Sequence, residues 1–148
     1  MKIIAENRKA LALFSFSETV EAGIKLTGPE VKSIRLGRVK LSGSYIKFVG
    51  SSPVVVGMYI SVYSKAFERN KIDPLRTREI LLSKKEISRL VGIESQKGTA
   101  IVPLRLYFKD NLVKIEIGVG KGLKKGDIRE KLRRRDLDRQ VERELRGK

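Results

Sequence analysis

The residues of this chain best equipped for chemistry are cations, and they crowd toward its end. Between Lys121 and Arg135 stand eight basic residues: Lys121, Lys124, Lys125, Arg129, Lys131, Arg133, Arg134 and Arg135. Only Asp127 and Glu130 oppose them, for a net of +6 in fifteen positions. Ammonium and guanidinium donors at that density suit phosphate oxygens, which a guanidinium grips in two-pronged fashion. A solvated charge run that only keeps the protein soluble is the plain alternative. A membrane-surface helix fits poorly, because the stretch lacks a broad apolar face to set into lipid. The whole chain carries 33 Lys and Arg against 17 Asp and Glu, a formal charge of +16 over 148 residues. Self-repulsion on that scale is usually relieved by a polyanion, so nucleic acid is the expected partner.

Other chemistries are excluded or unsupported. The sequence holds no Cys and no His, which removes disulfides, thiolate metal sites, Ser-His and Cys-His pairs and the neutral-pH proton shuttle. The carboxylates Asp110, Glu116, Asp127 and Glu130 are scattered over a turn, a strand face and the tail, not paired for magnesium. Gly120-Lys121-Gly122 lacks the spacing of a phosphate-binding loop. No enzyme activity, metal or cofactor is expected. No apolar run approaches the ~20 residues of a membrane helix. Charges at Glu6, Arg8 and Lys9 break up any leader-like stretch at the start, so a cytoplasmic location is expected.

The elements that must position these cations are short strands. Val102, Leu104, Leu106 and Phe108 alternate with Pro103, Arg105 and Tyr107, and Val113, Ile115, Ile117 and Val119 alternate with Lys114, Glu116 and Gly118. That is the period of a half-buried strand, twice, and Lys109-Asp110-Asn111 joins the two as a hairpin. Pro103 cannot donate to a ladder and implies an edge or bulge. Further strands are expected at 10–16, 18–27, 44–49, 53–61 and 77–82. One helix should open at Gly28-Pro29-Glu30 with Val31 and Ile34 inward and Gly37 closing it. A second should begin at Ser83, boxed by Glu86, with Ile87, Leu90 and Val91 buried and Gly92 as its stop. Such a chain is mainly β: a small closed antiparallel barrel of OB type with two to three short helices and a basic tail.

Residues 1–120 should form the barrel. Residues 121–148 should form a tail hinged at Gly120 and Gly122, unordered when free and helical from Asp127 to about Arg146 on a partner. The basic loop between Lys65 and Arg78 is long enough to be functional or mobile. Phe14, Phe16, Tyr45, Tyr59, Tyr63 and Tyr107 could stack on bases, or could simply fill the core.

Several stretches resemble the SmpB family, the SsrA-binding (tmRNA-binding) proteins of trans-translation. They are Asn7-Arg8-Lys9-Ala10, the run from Glu18 to Gly28, Glu30 to Gly37, Asp73 to Arg78, Leu81-Leu82, and Val102 to Lys109. The resemblance runs nearly the whole chain in order. It implies an OB-type body that binds the tRNA-like domain of tmRNA, with Asn7, Arg8, Lys9, Glu21 and Leu81 toward the RNA. Asn7 would bond sugar or base edges, Glu21 would accept from a base amine or 2′-OH, and Leu81 would pack on an unstacked base. It also implies a tail that enters the empty mRNA channel at the small-subunit decoding centre of a stalled ribosome. A translation elongation factor carrying charged tmRNA is a further implied partner, and a monomer is expected. The tail departs from the family pattern at Gly126, which offers no ring, and at Ile128, which replaces a cation. A ribosomal protein or a general RNA chaperone on the same barrel is the alternative.

Overall fold

The computed structural model describes residues 1–123 and, beyond them, 129, 133, 134, 136, 137, 139, 140 and 143. In chain order the elements are β1 (Lys2–Glu6), α1 (Arg8–Leu13), β2 (Phe14–Ile24), α2 (Gly28–Arg35), β3 (Val39–Lys40), β4 (Tyr45–Val49), β5 (Ser52–Val56) and β6 (Tyr59–Ile60). A short 3-10 turn at Arg69–Lys71 precedes β7 (Arg78–Leu81), α3 (Lys84–Glu94), β8 (Thr99–Lys109) and β9 (Leu112–Gly122).

Seven strands pair antiparallel in the order β1-β8-β9-β2-β7-β5-β4, and β3 with β6 makes a separate ribbon. The long hairpin β8–β9 is the spine. Its turn is Asp110-Asn111, and both residues adopt left-handed backbone (φ +51° and +65°). That is the geometry a two-residue hairpin needs to match strand twist, and Asp and Asn tolerate it. The bulge expected at Pro103 is present, since the β8–β9 register shifts between Pro103 and Arg105.

The expectation of a closed barrel is corrected: no ladder joins β4 to β8, although the two strands approach each other. Asn7 occupies that seam. Its Nδ2 donates to Leu41 O (3.3 Å) in the connection ahead of β4 and to Pro103 O (2.9 Å) in β8, tying that connection to β8.

The main core lies inside the curled sheet. Val20, Ala22 and Ile24 of β2, Ile115, Ile117 and Val119 of β9, and Leu106 of β8 meet Ile34 of α2 and Leu90 of α3. A second, small cluster sits on the outer face beneath α1, where Ala10 packs on Val102 and Leu104 with Phe14 and Phe16 alongside.

Several sequence expectations change. Residues 10–13 are helix rather than strand, because Asn7 Oδ1 accepts the Ala10 N–H (3.1 Å) and caps the run Arg8-Lys9-Ala10-Leu11-Ala12-Leu13. The strand expected over 53–61 divides at Gly57 (φ +80°). Gly92 does not end α3, which continues to Glu94; Val91 faces solvent, and Ile93 joins Leu90 against the core.

The hinge at Gly120 and Gly122 is also corrected. Both are paired in β9, to Phe16 and Phe14 of β2, and the Leu123 N–H then bonds Leu13 O (2.9 Å). Gly120 is small because of crowding: a Cβ there would sit 2.7 Å from Phe16 Cδ1 and 2.7 Å from Ser15 O. The eight described positions past 123 are helical and exposed.

Candidate nucleic-acid interface

Strand alternation sorts the outer face of the sheet. With Val20, Ala22 and Ile24 turned inward, Glu21 and Gly23 of β2 point out. The register sets Gly23 opposite Leu81 of β7 and Lys114 of β9, while Glu21 lies opposite Glu116. Arg105 faces Glu116 and Tyr107 faces Lys114 across the hairpin. Arg105, Tyr107, Lys114, Glu116, Glu21, Gly23 and Leu81 therefore share one surface, and α1 leaves it uncovered.

Glu21 is the centre of this face. The Tyr107 hydroxyl donates to Glu21 Oε2, and Lys109 Nζ approaches Oε1 at 3.4 Å. The Tyr107 hydrogen bond, then Lys109 and the charge of Lys114, hold the Glu21 carboxyl below its ordinary range against a smaller desolvation effect. Tyr107 is itself buried, and that burial, with Glu21 beside it, pushes its phenol well above the usual range. A carboxylate offers about four acceptor sites and this one uses two, so Glu21, 40% exposed, keeps capacity for an outside N–H or O–H donor.

Beside it Leu81 is 49% exposed. It lies over Gly23, where an added Cβ would come 3.3 Å from Leu81 Cβ. The missing side chain seats Leu81 low, forming an apolar step next to a charged acceptor. A flat aromatic heterocycle with an exocyclic amine matches that pair.

The other expected site residues separate. Asn7 is buried, with both Nδ2 hydrogens and its Oδ1 committed within the protein, so it organises the seam between β4 and β8 and has no N–H free for a ligand. Arg8 and Lys9 are exposed on α1. Lys121 is paired in β9 with its side chain exposed. Arg129, Arg133 and Arg134 lie in the exposed helical positions, whereas Lys124, Lys125, Asp127, Lys131 and Arg135 lie outside the described residues.

Tyr107 and the end of the basic loop are both tied into the fold. Tyr107 is not free to stack, because its ring is buried and its hydroxyl serves Glu21. The basic loop between Lys65 and Arg78 is pinned at its far end. Arg78 is fully buried, its Nε donating to Glu30 Oε2 (2.5 Å), one terminal nitrogen to Met58 O (2.6 Å) and the other to Pro74 O (3.1 Å). Arg76 joins from the same segment, donating to Glu30 Oε1 at 2.6 Å. Burial raises the Glu30 pKa, but the bonds from Arg76, the Thr27 N–H and Arg78 outweigh it and hold the group below its usual value.

Tyr107, Lys109 and Lys114 do not stand out from residue type alone as partners of Glu21. The signal was available in the hairpin, whose two-residue turn fixes which side chains share a face. Among the described residues no group of three or more acidic side chains is placed to hold a metal ion, and no helix is long and apolar enough to cross a membrane.

Comparison with known proteins follows the same line. The SmpB protein family matches residues 4–147. An SsrA-binding protein of Nitratiruptor sp. is 49% identical over 142 residues, covering 95% of each chain. One from Microcystis aeruginosa is 46% identical over 145 residues, covering 98% of this chain and 94% of that one. A solved structure described as "tmRNA-SmpB: a journey to the center of the bacterial ribosome" superposes with a TM-score of 0.70 and 37% identity, over 90% of this chain and 96% of its own. A family match over residues 4–147 and relatives 46% and 49% identical along almost the full length lead to one conclusion: the chain belongs to the SmpB family.

Proposed function

We propose that this protein is the tmRNA-binding adaptor of trans-translation, acting by binding and not by catalysis. The outer face around Glu21 and Leu81 grips the tRNA-like domain of tmRNA, with Arg8 and Lys9 supplying phosphate contacts from α1. The adaptor brings that RNA to ribosomes stalled without a codon, with an elongation factor on the charged tmRNA. The basic tail beyond Leu123 follows the vacant mRNA channel to the decoding centre as a helix, so that tagging starts only where no message is present. The protein works in the cytoplasm as a monomer.

The observation that carries this reading is the juxtaposition of an unsaturated, ionised carboxylate with an exposed leucine seated on a glycine. Phosphate-tracking cations bind any RNA, whereas such a pair discriminates among bases. The test is binding of the full chain to the tRNA-like fragment of tmRNA and to an elongator tRNA, at about 0.15 M salt, where non-specific contacts weaken. A strong preference for the tmRNA fragment, cut about tenfold by Leu81→Ala, supports the assignment. Equal binding to both RNAs, lost only on reversing the charges of Arg133 to Arg135, would make the protein a general RNA binder. The same triple reversal, in a chain that still binds tmRNA, is expected to abolish tagging.

A further inference from the structure

Around the tip of the hairpin from Lys109 lies a groove of about 720 Å³ between β1 and the end of α2. Its floor is Phe108, and the Arg35 guanidinium lies over that ring at 5.9 Å. Its rim is apolar and open, with Leu36 58% and Ile3 45% exposed, and Lys2, Ile4, Gly37 and Asn111 complete the lining. Among the described residues no acidic side chain lines it.

We propose that this groove is a second RNA subsite, one that takes an unpaired nucleotide. The inference rests on the RNA-binding reading above and extends it to a surface that none of the expected site residues touches. The Arg35 guanidinium, held over the Phe108 ring at 5.9 Å, offers a cationic plane on which a base face can stack. Leu36 and Ile3 flank the plane with apolar edges suited to a base. Lys2 stands ready for the accompanying phosphate. An extended acidic peptide would meet the same cations, but β1, the neighbouring sheet edge, shifts register between Ile3 and Ala5, which spoils its outer edge for strand addition.

The sequence contains no cysteine, so one introduced thiol is unique. Full-length chains carrying Leu36→Cys or, as the control on the first face, Leu81→Cys are coupled to a short photocrosslinker. Each is irradiated with the tRNA-like fragment of tmRNA in one arm and with small ribosomal subunits in the other. The proposal expects the label at position 36 to reach a single-stranded nucleotide, and the arm in which it does so names the source. Arg35→Ala should then weaken binding to that RNA about tenfold. Arg35→Lys should recover only part of the loss, because it restores charge without the plane.

RNA adducts at position 81 with none at 36 overturn the second subsite alone. So do adducts at 36 confined to ribosomal proteins, or full recovery by lysine. RNA adducts at neither position in either arm overturn the RNA-binding reading as well.

Discussion

Glu21 and Glu30 are the same residue type nine positions apart, each hydrogen-bonded to two side chains, and they do opposite work. Glu30 is 6% exposed and closed in by Arg76, Arg78 and the Thr27 N–H, so its oxygens are spent on holding the loop before β7 against α2. Glu21 is 40% exposed, with Tyr107 and Lys109 on one side and solvent on the other. Partner number does not distinguish a structural carboxylate from one available to a ligand. Whether the remaining lone pairs point into protein or into water does.

The comparison breaks most readily at its buried end. Arg78→Ala strands Glu30 without its main counter-charge and should cost about 3–5 kcal/mol of stability, read from the denaturant midpoint. A loss near zero would mean the network is as replaceable as a surface ion pair. The same contrast between closed and open surroundings recurs in two glycines two residues apart. Gly120→Ala drives a methyl into Phe16 and the Ser15 carbonyl and should cost about 1–3 kcal/mol. Gly122→Ala meets nothing within 4 Å among the described residues and should stay within about 0.5 kcal/mol in the same melts.

At the open end the effect moves from stability to recognition. Leu81→Ala should weaken binding of the tmRNA fragment about tenfold while barely moving the melting temperature. Glu21→Gln should give a smaller loss, because the amide keeps one acceptor oxygen. A melting temperature that fell as far as it does for Arg78→Ala would erase the distinction.

Acid tests the buried carboxylate directly. Glu30 has a folded pKa below its ordinary value of 4.5, so its contribution is complete above that pH and fades as pH falls through the lower folded value. Burial lowers the Arg78 pKa first, with Glu30 opposing; that effect belongs to strongly alkaline solution and leaves the acid limb to the carboxylate. Glu30→Gln should therefore flatten stability against pH below 4.5, measured by urea titration at several pH values.

Where local chemistry decided the outcome, it was legible in the sequence. Asp110-Asn111 between two alternating runs specifies the hairpin, and Gly28-Pro29-Glu30 opens α2 where expected, with Thr27 and Glu30 completing a capping box. Family resemblance points to Glu21 and Leu81, and the register places them near each other. What escaped was settled at long range. Arg78 reads as one more cation of a polar loop until Glu30, 48 residues earlier, is brought against it. Residues 10–16 look like a strand until Asn7 is seen to cap a helix, and Asn7 looks like a ligand contact until its amide is found bridging Leu41 and Pro103. Gly120 looks like slack in the chain until Phe16 is packed beside it.

The pairing of β9 through Gly122, with the Leu123 N–H latched to Leu13, also fixes where the chain can be divided. A cut after residue 120 would strip Lys121 from Ser15 and Thr99 and Gly122 from Phe14, fraying the strand that pairs with both β2 and β8. A cut after Leu123 would leave every one of those pairs in place. The boundary set by the described residues therefore falls after Leu123, where a division keeps β9 whole together with its ladders to β2 and β8.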